Sequence, residues 1–236
     1  MNDLVKEKWF ESDLNLLYDI LIDNGHPDKV DWTRNIINTK MNLLAVDSKA
    51  LRDISKYIFK GNYLSFLDLM PIKYHECMIV DAYLISKIKD FNIQKKYILK
   101  LAKHIDTWST VDTLKFNIKG CESDYLCFAE ELLKHDKPFY RRIGVRILFS
   151  FVKSKNYLNK VFSLMDTLYD ENDYYVNMAN AWLLCEMFIK NRDETLAYLK
   201  NHKLNKFTIN KGISKCRDSF RISSQDKELL NSFKVR

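Results

Sequence analysis

Glycine and proline are scarce, five of one and three of the other in 236 residues. A sandwich or barrel must turn its chain every few residues, so this scarcity excludes both and leaves an all-α chain. The five cysteines (Cys77, Cys121, Cys127, Cys185 and Cys216) are odd in number and form no C-x-x-C pair. That pattern fits reduced thiols better than a disulfide scaffold. The sequence has no G-x-x-x-x-G-K-[ST], no G-x-G-x-x-G and no H-x-x-x-H, and its histidines (His26, His75, His104, His135, His202) are scattered. Nucleotide-phosphate binding and zinc catalysis both lose most of their support. Long apolar runs are missing as well. The two longest, near residues 143–152 and 181–189, are broken by Arg146 and Glu186, and Met1-Asn2-Asp3 begins no signal peptide. A soluble cytoplasmic protein without a membrane span is expected.

Apolar residues make up 47% of the chain, enough for a sizeable core. The net charge of +7 is unevenly placed, with ten basic residues against three acids from Lys200 to Arg236. Lys211, Lys215 and Arg217 belong to this basic end, which suits a phosphate backbone or an acidic surface, or is simply a solvated lysine-rich face. Helical spacing of apolar residues predicts helices over about 4–23, 32–42, 48–60, 64–69, 74–89 and 94–104. A segment with Trp108 and Asp112 follows, closed by Gly120. Further helices are predicted over about 123–133, with Ser123 as cap, and over 139–152, 157–168, 173–190, 194–201, 208–219 and 225–233. Laid 35 residues apart, two segments echo one another: Tyr140 meets Tyr175, Gly144 meets Ala179, Ile147 meets Trp182 and Leu148 meets Leu183. Helix pairs at such a period predict a HEAT-like α-solenoid, an α-α superhelix with residues 1–236 forming one domain.

Trp108 and Asp112 are four apart and share one helical face, while Val111, Leu114 and Ile118 form a separate apolar stripe. An indole beside a carboxylate on a face turned from the core is a candidate site, although a helical Asp is often merely solvated or paired with a nearby lysine such as Lys115 or Lys119. Arg142 and Arg146, also four apart, lie in an otherwise apolar helix. There they must meet carboxylates such as Asp112 or face a surface that receives phosphate. Trp182 reads equally as core, through its alignment with Ile147, or as part of a site.

Three segments carry a family resemblance: Trp108-x-x-x-Asp112, the run from Phe139 to Val145, and the run from Asp173 to Leu184. They resemble the AlkD-like DNA alkylation-repair glycosylases, best over residues 74–221 and more weakly at 42–51. The resemblance implies a C-shaped HEAT-like solenoid with a basic concave groove. It also implies a monomeric, metal-free DNA glycosylase that excises positively charged N3- or N7-alkylated purines from duplex DNA without swinging the base into a deep pocket. Asp112 would lie near the anomeric carbon, Trp108 and Trp182 would flank the lesion-bearing sugar, and Arg142 would hold backbone phosphate. Arg146, Lys211, Lys215 and Arg217 join it as expected DNA contacts, and the protein would associate with the nucleoid when bound. A non-catalytic binder of branched or damaged DNA, and a HEAT-like scaffold for protein partners, are the alternatives.

Overall fold

In the computed structural model, which describes residues 1–235, 68% of the chain is helical and no strand occurs among the described residues. The chain gathers into two compact units, Met1–Asn117 and Ile118–Arg236. No helix is long and apolar enough to cross a membrane.

The first unit holds α1 (Leu14–Asp23), α2 (Val30–Ile37), α3 (Ser48–Lys60), α4 (Tyr63–Leu69), α5 (His75–Ile85), α6 (Phe91–Ala102) and α7 (Trp108–Thr113). The expected boundaries hold where a local breaker sets them. Asn24 ends α1 ahead of Gly25 and Pro27, Gly61 ends α3, and left-handed Met70 ends α4 ahead of Pro71. Helices α3, α5 and α7 pack in that order as one row. The α5–α7 contact runs parallel, with His75 facing Ser109 at its start and the Ser86 hydroxyl accepting from the Lys115 amide at its end, 2.9 Å away. Helices α4 and α6 are joined by the Tyr97 hydroxyl donating to Asp68 at 2.8 Å and by Lys100 Nζ donating to the Asp68 carbonyl.

Three expectations fail here. The helix expected over 32–42 spans Val30–Ile37 and is ended by left-handed Asn38. Residues 4–23 do not form one amphipathic helix: the chain runs as an extended strap, with short 3-10 turns at Asn2–Leu4 and Glu11–Asp13, until α1 begins at Leu14. Tertiary contacts override the helical spacing. The Asn62 amide donates to the Lys6 carbonyl at 2.7 Å, and the Trp9 amide donates to the Ser65 hydroxyl. A Cβ on Gly61 would come within 2.4 Å of the Lys6 carbonyl oxygen, so only glycine admits the strap at this approach. Helix α7 likewise stops at Thr113, not at Gly120. Its continuation is held extended by the Ser86 bond and by Gln94, whose buried amide donates to the carbonyls of Ile85, Ile88 and Lys115.

The core of this unit contains an acid. Asp81 on α5 is fully buried and neither carboxyl oxygen has a hydrogen-bond partner. Burial pushes its titration well above the usual carboxylate range, with Lys100 opposing. Buried His75 is pushed the other way by desolvation, down to about 4. Above pH 4 the unfolded chain has released the Asp81 proton that the folded chain keeps, so this group makes stability fall as pH rises. Between about 4 and 6.5 the unfolded chain holds a proton on His75 that the folded chain lacks, so stability rises with pH. Each slope reaches about 1.4 kcal/mol per pH unit. Asp81→Asn keeps the shape and removes one slope, so in urea unfolding the variant should gain on wild type as pH rises through the units just above 4. A constant difference across that range would mean that Asp81 is ionised in the folded protein.

The second unit holds α8 (Glu122–Leu133), α9 (Pro138–Leu148), α10 (Leu158–Asp166), α11 (Tyr174–Lys190), α12 (Arg192–Leu199), α13 (Lys206–Asp218) and α14 (Ser224–Asn231). Pro138 opens α9 as expected, but Cys121, not Ser123, is the N-cap of α8. Left-handed Gly120 turns the chain just before it, and Glu122 and Asp124 place their charge in the first turn, where the helix dipole favours it. Gly144 lets α9 approach α8 closely, since a Cβ there would sit 3.0 Å from the Ala129 carbonyl.

Helices α9, α11 and α13 form a parallel row. Phe139 stacks on Tyr175, and two to three turns on Phe149 meets Trp182. Between α11 and α13 the rungs recur every turn: the Thr208 hydroxyl donates to Asn177 at 2.7 Å, Gly212 abuts Ala181 and Leu184, and Cys216 meets Cys185. The 35-residue echo is the α9–α11 part of this row. A polar cluster locks its start. Glu171 takes a two-pronged ion pair from Arg141, at 2.5 and 2.9 Å, and accepts from the amides of Asn172 and Asp173. Burial works against its charge, yet these partners hold the carboxyl below its usual range. Asn177 ties the cluster to α13 by accepting from Asn205 as well as Thr208.

Candidate functional site

In the first unit the site is built on α7. Val111 and Leu114 anchor this short helix in the core, and the buried Thr107 hydroxyl donates to the Ile37 carbonyl just before it begins. The loop after α2 is braced against the same start, with Asp106 accepting from the Thr39 hydroxyl at 2.9 Å and from the Lys40 amide at 2.7 Å. With one face of α7 fixed, Trp108 and Asp112 lie four apart on another, both half-buried. The Trp108 indole N–H reaches the Ile36 carbonyl at 3.4 Å, which orients the ring without enclosing it. Next to Trp108, Ser109 Oγ lies 3.0 Å from His75 Nε2. These two line a cleft of about 260 Å³ with Trp32, Asp47, Glu76 and Tyr83. The Glu76 carboxyl accepts from the Leu44 amide at 3.0 Å, and its titration is nonetheless raised by burial.

In the second unit the site is built on α9, α11 and α13. Arg142 is 5% exposed, and its guanidinium donates to the Tyr175 carbonyl, tying α9 to the first turn of α11. Arg146, one turn later, is half-buried and sits over two rings, 4.5 Å from the Phe149 centroid and 5.1 Å from that of Trp182. Phe149 in turn meets Trp182 edge-on at 4.7 Å. Trp182 is therefore not core. Its echo partner Ile147 is fully buried, whereas the larger indole runs out over Phe149 into an open cleft of about 360 Å³.

That cleft brings Trp182 together with Lys215, Phe220 and Arg221. Lys211 and Arg217 are exposed on the same helix, α13, one turn before and two residues after Lys215. Arg221 is held by Glu186 through two bonds, at 2.5 and 3.1 Å. A guanidinium over an indole that itself shares a cleft with Lys215 can receive a phosphate while the aromatic surface stays available to a sugar or base. Of the expected residues, Trp108 and Asp112 share one face of α7 in the first unit, and in the second Trp182 has Arg146 over its ring and shares a cleft with Lys215. Phe149 and Phe220 were missed. Phe149 had a signal, since it follows Arg146 by three positions and so shares its face. Among the described residues no three His, Cys, Asp or Glu side chains are arranged to hold a metal ion.

The sequence model of a family described as DNA alkylation repair enzyme matches residues 19–216, more than four-fifths of the chain. No curated protein matches the sequence.

Proposed function

This chain belongs to the DNA alkylation repair enzyme family, and on that premise we propose that it is a monofunctional DNA glycosylase. It hydrolyses the N-glycosidic bond of positively charged N3- or N7-alkylated purines in duplex DNA, as a monomer and without a metal or cofactor. The observation that carries the reading is Asp112 beside Trp108 on one half-exposed face of a helix whose other face is anchored in the core.

Alkylation turns the base into a cationic leaving group, so it needs no protonation by the protein. As the C1′–N bond breaks, the bonding electrons leave with the base and positive charge develops on the sugar. The Asp112 carboxylate stabilises that charge, and it aligns the water whose oxygen bonds to C1′ and whose proton is lost. The face of Trp108 adds attraction for the developing cation. Arg146, Lys211, Lys215 and Arg217 neutralise backbone phosphates, so binding weakens steeply with salt. Arg142, expected as a phosphate contact, is instead buried with its guanidinium on the Tyr175 carbonyl, and serves by tying α9 to the first turn of α11.

The test is release of 7-methylguanine from methylated duplex DNA by the purified protein. Release above the spontaneous rate supports the reading, and its absence overturns it. Tight binding to junctions or damaged duplexes without release would point instead to a non-catalytic DNA-binding protein, as favoured by the exposed cations Lys211 and Arg217 on α13.

A further inference from the structure

We propose that Phe220 is a wedge that enters the DNA duplex at a base step, so that the second unit grips DNA by stacking as well as by charge. The proposal rests on the reading of duplex DNA as the ligand. Phe220 is 95% exposed, the most exposed of the large apolar side chains. An isolated surface phenylalanine is ordinary. This one differs in how its backbone is held and in what surrounds it.

The turn that presents the ring is pinned on both sides. The Ser219 amide donates to the Cys216 carbonyl at 3.2 Å, closing α13, and the Ser219 hydroxyl accepts from the Arg221 amide at 3.2 Å. The Arg221 guanidinium is clamped on Glu186 of α11, and Ile222 is buried. With residues 219, 221 and 222 all anchored, the ring stands at a fixed tip. Pre-organisation of this kind removes the ordering cost of inserting it.

The surroundings select the partner. Phe220 lines one cleft with Trp182, Lys215 and Arg221, and Arg217 is exposed on the last turn of α13. The acids nearby are Glu186, which is paired with Arg221, and Asp218. Cations flanking a projecting ring match the spacing problem of DNA, where phosphates border each base step and an apolar wedge gains by slipping between bases. A protein partner would call for a broader apolar surface around the ring, and here its neighbours are charged. Stacking is indifferent to sequence, so the wedge suits an enzyme that must find a lesion in any context.

The experiment uses the full-length protein and a duplex carrying a tetrahydrofuran abasic-site analogue beside 2-aminopurine, whose fluorescence rises on unstacking. Wild type should raise the fluorescence on binding. Phe220→Ala should abolish the rise and weaken binding roughly tenfold, with an unchanged circular dichroism spectrum. Phe220→Trp should retain both signals. Binding by wild type without a fluorescence rise, or equal affinity of Phe220→Ala and wild type, would overturn the wedge. The two readings separate cleanly: base release without unstacking removes only the wedge, and unstacking without base release removes only the glycosylase.

Discussion

Asp112→Asn is expected to lower the rate of 7-methylguanine release from methylated duplex DNA by about 10²- to 10³-fold, the usual effect of removing one preorganised stabiliser of transition-state charge. The substitution exchanges one oxygen for an amide nitrogen, so the shape of α7 and the placement of Trp108 are retained. What changes is the charge facing a sugar that becomes cationic as the base departs. Because the alkylated base already carries its positive charge, no second group has to protonate it, and nothing else in the proposed chemistry substitutes for the carboxylate. The loss should appear in single-turnover release, while affinity for uncleaved duplex stays the same. Equal single-turnover rates for wild type and variant would remove Asp112 from the chemistry even if the protein proved to be a glycosylase.

The second large effect is on stability. Trp9→Ala should destabilise the protein by about 3–5 kcal/mol, the range for truncating a buried large aromatic side chain. Trp9 is 2% exposed and meets Phe66 edge-on at 4.9 Å. It fastens the N-terminal strap to α4, assisted by its own amide on Ser65 and by the Lys6 carbonyl on Asn62. Removing the indole leaves a cavity between strap and helix and weakens the seating of Leu4, which is also fully buried. Urea unfolding followed by circular dichroism measures the change. A loss below about 1 kcal/mol, the range of an ordinary surface substitution, would mean that the strap is peripheral to the fold.

What could be read from the sequence divides along physical lines. Gly61, Pro71 and Pro138 act through their own backbone, so the helix boundaries they set were visible in advance. The α9–α11 row was visible because stacked helix pairs repeat their core positions, as Gly144 and Ala179 do. The strap was not, since Leu4 and Trp9 hold helix-compatible places and only the approach of Gly61 and Ser65 makes them extended. Asp112 beside Trp108 was legible as a pattern, because sharing a helical face is a matter of spacing. Exposure is not. Trp182 aligned with a core isoleucine and turned out to line a cleft, and Phe220 lies in a turn without any motif. Arg142 and Arg146 look equivalent in sequence, yet one is buried against a backbone carbonyl and the other lies across two rings.

The position of α11 has a further consequence, for how the second unit opens. This helix packs on α9 on one side and on α13 on the other, and its first turns are tied down through Arg142 and Asn177. In a stack where each member touches its neighbours, an end helix gives up one interface on opening and a middle helix gives up two. Local openings therefore begin at α14 and α13 and reach α11 last. In hydrogen–deuterium exchange the amides around Trp182 should be among the slowest of the unit, and those of α14 among the fastest. The indole of Trp182 is thus mounted on the part of the unit that yields last.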